Sequence, residues 1–177
     1  MKFLDTWQQA TLAATRALTP TIRLFEFEPS HRVGAWTPGS HIRVRVTVDG
    51  RVEVRCYSLI DDGSADARLR IAVKLSENGL GGSRAMWALK AGDVVDISEP
   101  DNHFELGLGA PSYTLVAGGV GITPLVSMAR ALKRGGRPLR FFYAVRSREE
   151  AAFADLLQSW LGEDFHLWIE NDAGRLD

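Results

Sequence analysis

The sequence predicts two units in series: an antiparallel six-stranded β-barrel, then part of a parallel α/β sheet. Three observations carry this reading. Residues 41–48 alternate strictly between apolar and polar side chains and run into Asp49-Gly50, a strong hairpin signal. Further short alternating runs recur before residue 100 with turn residues between them. Near residue 110 the pattern changes to short apolar runs separated by helical periodicity. The units are read as 1–108 and 109–177.

The elements follow in order. Residues 11–18 and 21–28 are read as the first two strands. In 41–48, Ile42, Val44, Val46 and Val48 share one face, and His41, Arg43, Arg45 and Thr47 the other. Beyond the turn, residues 51–60 place Val52, Val54 and Cys56 on an apolar face and Arg51, Glu53, Arg55 and Tyr57 on the opposite one. The expectation is that the apolar set faces inward, so that Arg55 and Tyr57 lie outside and Cys56 is a buried thiol. Residues 69–75 alternate again, a short helix occupies 83–89, and 93–98 closes the barrel. In the second unit, residues 113–117 form an apolar strand, followed by Gly118-Gly119-Val120-Gly121. Thr123 is read as a helix N-cap with Pro124 at the first helical position, and Gly135-Gly136 ends that helix. Residues 139–145 and 165–169 are further strands. Between them, Ser147 with Glu150 three residues on reads as a capping box opening a second helix. Strand, helix, strand, helix, strand is one half of a doubly wound, Rossmann-like sheet.

Composition narrows the function classes. The net charge is −1, from 21 basic and 22 acidic residues, which argues against a bulk positive field for nucleic acid. The single cysteine excludes a disulfide framework and a four-cysteine zinc or iron–sulfur site built within these residues. No apolar stretch is long enough to span a bilayer, and neither a targeting segment nor a membrane role is read. A cytoplasmic protein is expected. The histidines, His31, His41, His103 and His166, are scattered, and no metal site is predicted.

Three segments can carry chemistry. Arg55-Cys56-Tyr57-Ser58 offers a planar cation, a stacking ring and a hydroxyl on neighbouring positions. Gly81-Gly82-Ser83, opening the short helix, leaves backbone N–H groups open to an anion. Gly119-Val120-Gly121, between a strand and a helix, stands where a dinucleotide-binding turn belongs, although its spacing is not Gly-x-Gly-x-x-Gly. Taken singly, each also fits ordinary structure: a solvated strand face, a flexible turn, a tight strand-to-helix connection.

Together, Arg55-x-Tyr57-Ser58, Gly81-Gly82-Ser83 and Gly118-Gly119-Val120-Gly121-Ile122-Thr123-Pro124 resemble the ferredoxin–NADP reductase superfamily. The chain is most similar to the reductase components of Rieske-type aromatic oxygenases, the phthalate dioxygenase reductase and vanillate demethylase reductase group. Residues 78–84, Asn102-His103-Phe104 and Ala144-Val145-Arg146-Ser147-Arg148 share in that likeness.

The resemblance implies a flavin against the barrel, FMN rather than FAD. Tyr57 packs on its ring system, Ser58 hydrogen-bonds near its reactive nitrogen, and Arg55 with Gly81, Gly82 and Ser83 holds its phosphate. Val73 and Lys74 run beside the ribityl chain, and Thr123 sits where a nicotinamide approaches. Gly119, Val120 and Gly121 pass under NADH or NADPH, whose ribose and phosphate end meets Arg146, Ser147 and Arg148. No acid follows Val145 to favour the NAD ribose, and two arginines can accept a 2'-phosphate; the resemblance leans to NADH. The implied activity is hydride transfer from NAD(P)H to the flavin and electron transfer to a 2Fe–2S carrier serving a terminal oxygenase. The chemistry belongs to the cofactors, so no catalytic side chain is named.

The resemblance also implies at least two more strands and a helix after residue 177, a Cys-Gly-Pro-like segment, and a plant-type ferredoxin domain. The chain is therefore expected to be C-terminally truncated, with any 2Fe–2S cluster on a separate or missing domain and the first parallel strand left as an open edge. Two alternatives stand beside the reductase: a truncated flavin-binding module without NAD(P)H reductase activity, and a small oligonucleotide-binding barrel. Near-neutral charge and few paired exposed aromatics count against the last.

Overall fold

The computed structural model describes residues 6–61 and 68–174. The outer ends of both units as read from sequence, residues 1–5 and 175–177, lie outside the described residues. Among the described residues nine strands form two sheets. The first comprises β1 (Trp7–Ala17), β2 (Ile22–Pro29), β3 (His41–Val48), β4 (Arg51–Ser58), β5 (Leu69–Lys74) and β6 (Val94–Ser98), in the order β4-β3-β6-β1-β2-β5. Every pairing in it is antiparallel. The sheet curls until its two edge strands approach, where Leu59 just past β4 bridges to Ile71 of β5. The gap between β4 and β5 is a seam in the barrel wall. Helix α1 (Gly82–Ala88) lies against β3 and β5 at that seam.

Alternation produces the core. Leu12, Phe25, Phe27, Ile42, Val44, Ile71 and Ile97 are fully buried inside the barrel with Met86 of α1. The rings of Phe25 and Phe27 lie parallel, 6.4 Å between centroids. Each such side chain contributes roughly 1.5–3 kcal/mol relative to exposure. In β1 the register shifts between Leu12 and Ala14, a bulge that bends the strand and helps the sheet curl.

The expected faces of β4 are reversed. Asp49 and Gly50 adopt positive φ (49° and 75°) and make a two-residue turn, so Val48 pairs with Arg51. That register places Arg55 opposite Val44 and Tyr57 opposite Ile42. Paired residues share a face, so Arg55 and Tyr57 stand on the barrel's inner side, both half-buried. Val52 and Val54 point outward, 68% and 44% exposed, and Cys56 is exposed rather than a buried thiol.

The second sheet comprises β7 (Tyr113–Gly118), β8 (Leu139–Val145) and β9 (Phe165–Ile169), parallel, in that spatial order. Helices α2 (Thr123–Arg134) and α3 (Ala154–Leu161) pack on one face of it over Leu115, Phe141, Tyr143 and Phe165. Among the described residues β7 is an edge strand, with Val116 70% exposed. A short final helix, α4 (Glu170–Ala173), follows β9.

Both predicted caps differ from what forms. Thr123 is the first residue of α2 and Ile122 its N-cap, because a 3-10 turn over Gly119–Ile122 has already begun the winding. Ser147 opens a 3-10 turn over Arg148–Glu150 without a side-chain cap, and α3 starts only after Phe153, which takes φ 65°. No helix among the described residues is long and apolar enough to cross a membrane.

Candidate functional site

Arg55 is positioned by β4 and pressed against the start of α1. A Cβ on Gly82 would overlap the Arg55 Nε, so only glycine admits this approach. Gly81 adopts φ +86°, and a Cβ there would stand 2.6 Å from the Val48 Cγ1. One glycine is needed for its backbone angle and its neighbour for close contact. The Arg55 guanidinium pairs with Glu53 and donates to the Val54 carbonyl at 3.0 Å. Ser83 accepts a hydrogen bond from the Ser76 N–H at 3.0 Å, which ties the turn to the chain leaving β5. Arg84 donates to the Glu77 carbonyl across the same turn.

Tyr57 lies two residues along the same face. Burial pushes its phenol up to about 12, with Arg55 opposing the shift. It therefore presents a neutral ring and an O–H donor over the physiological range. Ser58 pairs with His41, and strand alternation sets its side chain on the face opposite to Tyr57. Across the seam, the buried Val73 accepts the Trp87 indole N–H at 3.1 Å, locking α1 to β5. Arg23 stacks on the Trp87 ring at 4.3 Å. The Lys74 ammonium lies 3.2 Å from the Glu150 carboxylate, reaching from the barrel to the second unit.

The glycine-rich turn meets the seam from that second unit. Gly119 takes φ +50°, and the 3-10 turn it begins lies against β5. Val120 packs onto a patch made by Ile22, Ala72 and Ala152. Thr123 is buried at the start of α2. A Cβ on Gly118 or Gly121 would meet nothing within 4 Å, and neither has positive φ. Packing within the chain does not demand glycine at either position; their effect is to leave bare backbone facing open space. Arg146, Ser147 and Arg148 leave the carboxyl end of β8, beside the carboxyl end of β7 where this turn begins. In open parallel sheets ligands bind at that end. Arg146 and Arg148 are exposed, and the Arg146 carbonyl accepts the Asn171 N–H at 3.0 Å.

The structure thus brings Arg55, Tyr57, Gly81, Gly82 and Ser83 together on one side of the seam, and Val73 and Lys74 on the other. From the second sheet the Gly119–Ile122 turn lies against β5 and Glu150 reaches Lys74, while Thr123 and residues 146–148 stand at the carboxyl ends of β7 and β8. Sequence reading missed Gly39, which takes φ +95° and on which a Cβ would overlap the Phe104 carbonyl. Its N–H donates to the Ser127 Oγ of α2 at 3.2 Å, a link between the two units. The histidines are scattered along the sequence, but the fold brings the rings of His41 and His103 to 5.5 Å from each other.

Two family profiles match the chain. One, described as oxidoreductase FAD-binding domain, covers residues 9–106; the other, oxidoreductase NAD-binding domain, covers residues 115–170. The phthalate 4,5-dioxygenase oxygenase reductase subunit of Pseudomonas putida is 42% identical over 160 residues, 86% of this chain and 48% of that one. The vanillate O-demethylase oxidoreductase of Acinetobacter baylyi is 38% identical over 159 residues, 88% of this chain and 49% of that one. The structure of phthalate dioxygenase reductase, described as modular, for electron transfer from pyridine nucleotides to a 2Fe–2S centre, superposes with a TM-score of 0.87. That match is 34% identical and covers 97% of this chain and 55% of that one. The chain spans about half the length of the curated relatives it matches.

Proposed function

The chain belongs to the oxidoreductase FAD-binding domain family, and from that membership we propose that it holds a flavin at the β4–β5 seam and receives electrons there from NADH or NADPH. The observation that carries the reading is the contact between Arg55 and Gly82. It sets a cation against the first turn of α1, whose leading N–H groups have no partner within the helix, and such a pair is the donor set a phosphate monoester requires. A bound flavin supplies acceptance of an electron pair from a nicotinamide and its release as single electrons.

The chain's own residues do the rest. Arg55 and the Gly81–Ser83 turn anchor the phosphate end. Tyr57, neutral and half-buried, offers one ring face and excludes water from it. Backbone of Ser58, Val73 and Lys74 lines the seam between phosphate and ring. Thr123 closes the seam toward the second unit, where bare Gly119–Gly121 backbone admits a pyridine nucleotide and Arg146, Ser147 and Arg148 meet its ribose–phosphate end. We take residues 1–108 as the flavin-binding unit and 109–177 as nucleotide-binding.

The flavin is FMN rather than FAD in this proposal. The electrons pass to a 2Fe–2S carrier of an oxygenase system, in keeping with the names of the similar reductases. The single cysteine means that such a carrier lies outside these residues. A second reading is a flavin-binding module without reductase activity, which differs from the first in the nucleotide step alone.

The test is the visible spectrum of the chain titrated with FMN and with FAD, then with NADH or NADPH under anaerobic conditions. The reductase reading expects tight FMN binding and bleaching with NADH. Flavin binding without bleaching by either nucleotide supports the second reading, and absence of flavin binding overturns both.

A further inference from the structure

We propose that His41, Asp101 and His103 form a binding site for one divalent transition-metal cation, on the outer wall of the barrel. One ligand atom from each of these residues lies within 4.8 Å of the others. The His103 Nε2 is 3.0 Å from the Asp101 Oδ2. His41 is distant in sequence from Asp101 and His103 and meets them because the chain leaving β6 runs on antiparallel to the start of β3. The His41 and Asp101 backbones exchange hydrogen bonds of 2.8 and 3.0 Å.

The site is held from behind. The Asp101 Oδ1 accepts the Asn102 N–H at 2.9 Å, which leaves Oδ2 turned to His103. The Asn102 side chain donates to the Thr37 Oγ1 at 2.7 Å and to the Pro38 carbonyl at 3.1 Å, and accepts the Phe104 N–H at 2.9 Å. The turn carrying His103 is thereby pinned on both sides. Such outer contacts orient metal ligands and raise affinity.

The donor chemistry selects the cation. Two imidazole nitrogens and one carboxylate oxygen suit zinc, copper or nickel rather than magnesium or calcium. Ligand atoms around zinc sit roughly 3–3.5 Å apart, as follows from bond lengths of about 2.0–2.2 Å. The Asp101–His103 pair is already at that spacing. His103, with 75% of its side chain exposed, can rotate to close the set. Three protein ligands leave the fourth position to water. The Arg43 guanidinium also reaches the Asp101 Oδ2, at 3.4 Å, so binding exchanges an ion pair for a coordinate bond and the affinity is moderated. The site stands on the β3 face opposite Ile42 and Val44, away from Arg55 and Tyr57.

The experiment is calorimetric titration of tag-free full chain with zinc chloride, repeated with cobalt(II) followed by its visible absorption. The expected result is saturable binding of one cation per chain. His103→Ala and Asp101→Asn should each weaken it at least about tenfold, the lower bound set by losing even an outer-shell contact. His103 is exposed, so His103→Ala should retain the parent's circular dichroism and melting profile. Cys56→Ser, which removes the exposed thiol, should leave affinity unchanged. Failure of the parent to saturate, undiminished binding by folded His103→Ala, or loss of binding in Cys56→Ser would overturn the proposal. The readout involves neither flavin nor nucleotide, so it stands or falls apart from the reductase reading.

Discussion

Arg55 meets three neighbours at once: Glu53 along its own strand, the Val54 carbonyl, and the bare backbone of Gly82. Charge-assisted hydrogen bonds contribute about 1.5–3 kcal/mol, and each 1.4 kcal/mol is a factor of ten in affinity. Arg55→Ala should therefore weaken FMN binding about ten- to hundredfold while the chain stays folded, as read by fluorescence titration alongside a melting curve. Gly82→Ala is the sharper test. Its methyl would displace the mid-section of a flexible side chain, which can swing aside, so flavin affinity should fall more than stability does. Retention of full FMN affinity by both variants would remove the phosphate assignment. Tyr57 sets a pH dependence. The unfolded chain releases this proton near 10.0 and the folded chain near 12. Between those values the native state binds more protons, so the contribution is intact below pH 10 and is lost as pH rises toward 12. Burial and the nearby Glu150 raise Tyr143 in the same direction. Urea unfolding at increasing alkalinity should show the midpoint falling, and Tyr57→Phe should flatten that fall.

At the scale of elements, the β3–β4 hairpin shows where pattern reading succeeds and where it stops. Both strands and their turn are legible, because alternation and Asp-Gly are local signals. Which face of β4 turns inward is not, because alternation separates residues into two sets without saying which set is buried. Composition suggested the valines; the two-residue turn decided otherwise by pairing Val44 with Arg55. Counting pairs outward from Asp49-Gly50 would have found it. The caps failed for a related reason: the 3-10 turn before α2 began the winding one turn earlier than Thr123 suggested. The loop before β3 carries its own prediction. Gly39 combines φ +95° with a neighbouring backbone carbonyl that cannot yield cheaply. Gly39→Ala should cost on the order of 2 kcal/mol or more, visible as a lower urea midpoint; an unchanged midpoint would show that the loop relaxes freely.

At the scale of the whole molecule, two sheets are joined by a small apolar patch at Val120, the Gly39–Ser127 hydrogen bond and the Lys74–Glu150 pair. The ion pair is partly exposed, and pairs of that kind contribute about 0–1 kcal/mol. Glu150→Gln should shift the melting temperature little and leave FMN affinity unchanged, whereas a large loss of either would mean that the pair aligns the units. By itself the sequence determined the two-unit order, the strand positions within a few residues, and the three segments now gathered at the seam, but not the start of α3, which opens at Ala154 rather than after Ser147. These are encoded in periodicity and glycine placement over a few neighbouring residues. Only the tertiary structure decided that Arg55 and Tyr57 face inward, that Cys56 faces out, that Lys74 is held by Glu150, and that His41 meets Asp101 and His103. Each of those depends on strand register or sheet curvature, which couple residues far apart in the chain and leave no mark in any local pattern.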